Sequence, residues 1–374
     1  MSSEKTRKEI FSKVRKLVVK IGTGVLTSNG SLDVPCIDSI CRQVHALSKS
    51  NVQVIIVTSG AIGAGVDALR LKSRPTLLPE LQAAAAVGQN RLMVAYDECL
   101  RKYGLRAGQI LLTREDLADR HRFVNVGNTI RALLHLGGVP VINENDTVSV
   151  DEIKFGGNDV LAAQVVHVLK ADALIFLSTV DGLYDADGKV IDLVERVTDE
   201  TMGLDTGKKS ALGIGGMQTK LQSVLEVTNV GDPVVIANGK TDGIILRIMN
   251  GDTVGTMFCP APAKLGARKR WLMFSVKTRG RITIDDGAVK ALVERHKSLL
   301  ASGIVAIDGE FDQWETVAVA GPHGTLIAKG ITQYSSTELN RIKGARTAEI
   351  KSRLGYKDYD EVIHRDNLVT LEGE

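Results

Sequence analysis

The chain has 374 residues, 44% of them hydrophobic and 24% charged, with 47 basic residues against 44 acidic ones for a net charge of +3. These proportions fit a globular chain of about two domains, and so even a charge balance does not by itself imply a nucleic-acid partner. No apolar run approaches the roughly 20 residues of a membrane span, no apolar stretch marks a signal peptide, and the four cysteines (Cys36, Cys41, Cys99, Cys259) lack metal-ligand spacing, so free thiols in a cytoplasmic protein are expected.

The basic N-terminus leads straight into a strand, Leu17-Val-Val-Lys-Ile, which ends at Lys20, Gly22, Thr23 and Gly24. Glycines at a strand end let the backbone approach a phosphate, and a lysine supplies a cation. The GKT or GKS of a P-loop is missing, so a plain glycine turn beside a solvated lysine stays open on these residues alone. A helical segment follows (Ile37, Ile40, Val44, Leu47), then a second strand, Val52 to Val57, that stops at Thr58, Ser59 and the glycines 60, 63 and 65. Leu81 to Leu100 reads as a long amphipathic helix, Gly108 to Thr113 as a third strand, and Asn125 to Leu136 as a further helix.

The stretch from Pro140 to Ala163 carries the densest chemistry. An apolar strand (Val139, Val141, Ile142) ends in Asn143, Glu144, Asn145 and Asp146; after a polar loop, Gly156 and Gly157 precede Asn158 and Asp159 at the start of an apolar-periodic segment. That second half reads as a glycine turn, an N-cap and a helix. One Asn or Asp would suffice for capping, so amides and carboxylates in this number suit a small ligand with an ammonium group, or Mg²⁺. Ala173 to Thr179 is a fifth strand. Gly213-Ile-Gly-Gly-Met-Gln-Thr-Lys220 then opens a helix (Leu221, Val224, Val227), and Pro233 to Ala237 is a sixth strand. Glycines before a helix N-terminus expose N–H groups to an anion, and a lysine in that first turn opposes the helix dipole unless a phosphate shares the site. Nothing in the sequence packs Lys220 into a core, so its removal is expected to leave stability almost unchanged. Strands alternating with helices predict an α/β fold, an open and mainly parallel sheet with helices on both faces.

Composition shifts after Cys259. Residues 1–259 form one expected domain, 260–274 a linker with Pro260, Pro262 and Arg268-Lys-Arg, and 275–374 a small β-rich domain. Its alternating runs (281–285, 303–308, 316–320, 325–329) suggest a small barrel or sandwich with a few helices. The cluster Arg341, Lys343, Arg346, Lys351 and Arg353 has no clean helical stripe, and a solvated helix face explains it more readily than RNA does.

Val18-Val-Lys-Ile-Gly-Thr, Val57-Thr-Ser-Gly-Ala-Ile, Ala85-Ala-Val-Gly-Gln, Leu111-Leu-Thr-Arg, Pro140-Val-Ile-Asn-Glu-Asn-Asp, Asn158-Asp, Gly182-Leu-Tyr and Gly215-Gly-Met-Gln-Thr-Lys, in this order, resemble the amino acid kinase family over nearly all of residues 15 to 258. Arg281-Ile-Thr-Ile-Asp-Asp-Gly-Ala, Ser298-Leu-Leu-Ala-Ser-Gly-Ile and His364-Arg-Asp are similar to a PUA domain, an RNA-binding module. The resemblance implies ATP-dependent phosphorylation of the γ-carboxylate of L-glutamate, the first step of proline biosynthesis, with Mg²⁺ beside ATP. It implies that Lys20 and Lys220 contact the phosphates and that Asp159 holds them, the three forming the catalytic set. It assigns Ser59, Asp146 and Asn158 to glutamate. Ser178, Thr179 and the run Ile214, Gly215, Gly216, Met217, Gln218, Thr219 and Lys220 would line the nucleotide site. It also implies a homo-oligomer, dimer or tetramer, and RNA as a possible partner of the PUA-like part. Three positions depart from the family pattern: Gly157 where Asp is common, Ser178-Thr179 where Thr-Asp or Ser-Asp is usual, and Ile214 where Thr is usual. The unprotonated acceptor needs no general base, and closure of the loop 147–157 would protect an acyl phosphate from water.

Overall fold

The computed structural model describes residues 3–28, 30–149, 157–204, 216–262 and 278–371. They fall into two compact units, 1–264 and 265–374.

The first unit is built on strands β1 (Lys16–Ile21), β2 (Thr27–Ser28), β3 (Ser31–Leu32), β4 (Gln53–Val57), β5 (Arg106–Leu112), β6 (Gly138–Glu144), β7 (Ala173–Ser178), β8 (Leu193–Val194), β9 (Val234–Asn238) and β10 (Thr256–Phe258). Eight of them form one sheet in the order β5-β6-β4-β1-β7-β9-β10-β8, parallel throughout except where β10 meets β9; β2 and β3 make a separate hairpin. Its helices are α1 (Ser3–Phe11), α2 (Thr23–Leu26), α3 (Val34–Lys49), α4 (Ala61–Ala68), α5 (Leu78–Arg101), α6 (Arg114–Ala118), α7 (Arg120–His135), α8 (Gly157–Leu169), α9 (Asp199–Gly203), α10 (Met217–Asn229) and α11 (Ile244–Met249).

Side chains alternate across a strand, and β1 uses both faces differently. Leu17, Val19 and Ile21 join Val54 and Ile56 of β4 and Ile175 and Leu177 of β7 in a core closed by Phe11, Ile37, Val44, Leu92, Tyr96 and Ile245. Val18 and Lys20 point to the opposite face, where α8 lies against β1, β4, β6 and β7. Helices therefore cover both sides of the sheet, as the alternation of elements predicts. Among the described residues no helix is long and apolar enough to cross a membrane.

The N-terminus differs from expectation. Residues 3–11 form α1, and Arg7 within it is fully buried. Its guanidinium donates to the carbonyls of Asp192 (2.6 Å), Val254 (2.8 Å), Gly255 (2.9 Å) and Asp252 (3.3 Å). A low apolar content hid this helix, because its docking joins only Ile10 and Phe11 to one buried cation and shows no long apolar stripe.

Among its described residues the second unit has one five-stranded sheet in place of the two of a sandwich. Its strands β11 (Gly280–Ile284), β12 (Ile304–Asp308), β13 (Thr316–Ala320), β14 (Leu326–Ile331) and β15 (Leu368–Thr370) run in the order β12-β11-β13-β14-β15, antiparallel but for β11 with β13. Ile282, Ile284, Val317 and Val319 pack there on Leu292, Tyr334, Leu339, Ile342, Val362 and Ile363 in a separate core.

Candidate active site

In an open parallel sheet, ligands bind beyond the carboxyl ends of the strands, near the point where connections leave in opposite directions. Here that point is β1: the chain passes from it to β4 on one side, and β7 returns to its other side. Lys20 stands near the carboxyl end of β1 and reaches Asp159, in the first turn of α8, with Nζ 2.5 Å from Oδ1. Lys220, in the first turns of α10, reaches the other carboxylate oxygen at 3.1 Å. All three are buried, with 7% of Lys20, 1% of Asp159 and 8% of Lys220 exposed. The expectation that Lys220 lies free of packing is thus corrected. Its ammonium is held between elements, where desolvation makes a change felt.

Burial pushes the Lys20 ammonium below the ordinary lysine range, and the charge of Lys220 adds to that, while Asp159 pulls it back up. Burial would raise the Asp159 carboxyl, but Lys20 and Lys220 outweigh it and hold the group below the usual carboxylate range. An isolated buried charge is expensive, and two ammonium groups gathered around one carboxylate are a costly way to make a core. Their convergence at the open end of the sheet suits a polyanionic ligand.

Next to this cluster lies an amide and hydroxyl relay. The Asn158 Nδ2 is 3.1 Å from Ser59 Oγ and 3.1 Å from Asn143 Oδ1, and Asn143 Nδ2 donates to Gln89 Oε1 at 2.8 Å. The Asn158 amide is spent across the sheet, on Ser59 just beyond β4 and on Asn143 of β6. Ser59 owes its place to Gly60, whose φ of 98° turns the chain from β4 into α4 in the left-handed region that glycine tolerates. Thr58 beside it shares a buried 3.0 Å hydrogen bond with the Tyr96 hydroxyl. Asp146 sits half-buried in the turn after β6, within electrostatic reach of Arg74.

On the other side of Lys20, Ser178 ends β7 and the exposed Thr179 follows it. A Cβ on Gly24 would lie 2.8 Å from the Thr179 methyl, so the glycine of the first strand end and this threonine are packed together. Gly216 precedes α10, Met217, Gln218 and Thr219 form its first turn, and the Thr219 hydroxyl donates to the Gly216 carbonyl at 2.9 Å. Ile214 and Gly215, and residues 150–156 of the loop expected to close, lie outside the described residues. Among the described residues no group of three or more His, Cys, Asp or Glu is arranged to hold a metal ion.

Gln89 received no role from the sequence, and Asn143 only a share in the reading of its strand end as a ligand site, though both stand inside recognised motifs. The signal for Gln89 was present. It is a polar residue on the face of α5 that also carries Ala85, Leu92 and Tyr96, all buried. In the second unit, Arg341 donates to the Arg353 carbonyl and Arg353 pairs with Glu349, so part of the basic cluster is used internally.

A strand-end lysine, a helix-start lysine and a shared buried aspartate, on a doubly covered parallel sheet, define an α/β phosphotransferase. The family model described as the amino acid kinase family matches residues 15–238, and that of the PUA domain matches residues 280–354. The chain is 47% identical to a glutamate 5-kinase of Caldanaerobacter subterraneus subsp. tengcongensis over 96% of its own length and 98% of the relative's. It is 46% identical to a glutamate 5-kinase of Citrifermentans bemidjiense (98% and 100%) and 44% identical to one of Syntrophotalea carbinolica (97% and 99%). The chain belongs to the amino acid kinase family, in its glutamate 5-kinase branch with a C-terminal PUA domain.

Proposed function

We propose that this chain transfers the γ-phosphoryl group of ATP to the γ-carboxylate of L-glutamate, giving γ-glutamyl phosphate and ADP, the first step of proline biosynthesis. The observation that carries the reading is the buried Lys20–Asp159–Lys220 cluster at the strand ends, in a chain whose relatives are named glutamate 5-kinases. A glutamate side chain, with a reference pKa of about 4.3, is ionised at neutral pH. One of its oxygens forms the new bond to phosphorus while the bond to the bridging oxygen of ADP breaks and that oxygen keeps the electron pair. No proton has to move, so no general base is needed. What remains is to bring an anion to a polyanion and to stabilise charge shifting toward ADP. Lys20 and Lys220 meet that charge, and Asp159 keeps both ammonium groups aimed.

Ser178, Thr179 and the segment from Ile214 to Lys220 line the nucleotide, with the N–H groups at the start of α10 facing phosphate. Mg²⁺, bound with the triphosphate, would neutralise it further. That fits a site whose buried Asp159 carboxylate is already committed to two lysines. Ser59, Asp146 and Asn158 hold the glutamate. Residues 1–259 form the catalytic domain, 260–274 the linker, and 275–374 a PUA-like domain whose partner is RNA. A homo-oligomer, dimer or tetramer, is the working form.

ADP release measured with ATP and Mg²⁺ across glutamate, N-acetylglutamate, aspartate and carbamate tests the reading. Glutamate is expected to give the highest kcat/KM, and preference for any other acceptor overturns it. A gel shift with structured RNA at physiological salt tests the second domain, where no shift refutes the partner.

A further inference from the structure

We propose that Gln89 is a positioning residue that decides which atom of the Asn158 amide faces the acceptor, and thereby makes a free ammonium group on that acceptor a requirement. The inference rests on the assignment of Ser59 and Asn158 to the acceptor site.

An amide nitrogen carries two hydrogens. Those of Asn158 are both spent, on Ser59 Oγ and Asn143 Oδ1. The Asn158 Oδ1 is left buried with no hydrogen-bond partner among the described residues. Buried acceptors are nearly always satisfied, so this one is poised for a donor that arrives with a ligand. Nothing in Asn158 itself dictates that orientation, because the two ends of an amide have the same shape. Ser59 does not dictate it either, since a hydroxyl both donates and accepts.

Asn143 does, and only through Gln89. The Asn143 Nδ2 is committed to Gln89 Oε1 at 2.8 Å in a buried contact, so its Oδ1 must face Asn158 and accept. Were Gln89 reversed, Asn143 and Asn158 would reverse with it. Asn158 would then offer a donor, suited to a carboxylate. The relay has two self-consistent polarities, and the structure holds the one that offers an acceptor. At its far end the Gln89 Nε2 is also buried without a partner among the described residues, so the relay runs from an open donor to an open acceptor. The ammonium of an amino acid is a donor-only group. A deaminated acceptor would leave Asn158 Oδ1 buried and unpaired, the situation in which hydrogen-bonding sites discriminate most strongly.

The test compares the full-length chain with Gln89→Glu and Gln89→Met, measuring KM and kcat for glutamate, glutarate (which lacks the amine) and ATP, with a thermal melt of each protein. Glutamate carboxyl oxygens can still accept from Asn143, so Gln89→Glu is expected to keep the glutamate KM within about threefold. Methionine has similar length and offers no such acceptor. Gln89→Met is expected to raise the glutamate KM roughly 10–100-fold, to leave the ATP KM within about twofold, and to narrow the preference for glutamate over glutarate by a similar factor. Should that variant fail to fold, Gln89→Ala is read in the same way. A folded Met variant with unchanged glutamate KM overturns the proposal, as does equal damage by Glu and Met or a parallel rise in both KM values. Wild-type protein that uses glutarate as well as glutamate overturns the relay and leaves the kinase reading standing. Wild-type protein that releases no ADP with any acceptor overturns the kinase reading, and the relay with it.

Discussion

Lys220 illustrates what a single residue can reveal at each stage. Its helix-start position, against the dipole, pointed to an anion, and the structure adds that it is buried on Asp159. Lys220→Ala is therefore expected to lower kcat roughly 10²–10³-fold with little change in either KM, as for loss of one preorganised charge in a transition state. Lys220→Arg is expected to restore little, because a planar fork does not replace a compact ammonium on a shared carboxylate. Steady-state kinetics decide it, and a near-normal kcat with a raised ATP KM would reduce Lys220 to a nucleotide-binding role. A denaturant melt should also show a loss of about 1–3 kcal/mol, since the variant leaves Asp159 with one of its two partners. Asp159 gives the second test. Lys20 works protonated, so activity falls as pH rises through its pKa, which burial lowers and Asp159 raises. In Asp159→Asn the raising influence is gone, and the alkaline limb of the kcat/KM profile should move to lower pH; an unmoved limb would detach Lys20 from this control. The acid side has the opposite sign. The carboxyl of Asp159 is held below the usual range, so the stability it adds is present above its unfolded pKa and is lost as pH falls through the lowered one.

Elements carry these residues to one place, and the close crossing of α4 and α5 is the tightest constraint. A Cβ on Gly88 would lie 1.8 Å from the Ala61 carbonyl oxygen, and one on Gly65 would lie 1.8 Å from that of Ala84. Backbone meets backbone there, with no flexible side chain to give way. Gly88→Ala is expected to push the helices apart, lower stability by about 1–3 kcal/mol, and raise the glutamate KM more than that for ATP, because Ser59 and Gln89 border this crossing. An unchanged melt would show that the helices can slide. This level also marks how far the sequence could be read. Strand ends at Lys20, Ser59 and Asp146 were visible because apolar runs stop there at polar residues, and Asp159 and Lys220 because they open helices. The relay polarity was not visible. It depends on which end of the Gln89 amide, oxygen or nitrogen, meets which end of the Asn143 amide across 54 residues of sequence, and amides carry no trace of that in their order. Helix α1 was missed for a related reason, since Arg7 looks like any surface cation until four carbonyls are gathered around it.

At the scale of the whole molecule, the two units differ in architecture and each has its own core. The first sheet is complete at β10, which pairs with β8 and β9. Every described residue assigned to the site precedes residue 221 and lies in the first unit. A domain with its own core is expected to fold alone. A chain ending near residue 264 should therefore remain folded, melt in one cooperative transition, and keep measurable glutamate-dependent ADP release, while the full-length protein should show a second transition belonging to the β-rich unit. The size of any loss is informative. A modest fall in kcat at unchanged KM would leave the catalytic unit self-sufficient. A soluble truncated chain without activity would mean that the C-terminal unit supplies part of the site or sustains the oligomer in which the site works. Sedimentation of the truncated chain beside the full-length protein separates those two cases, because only the second predicts a change in mass beyond that of the residues removed.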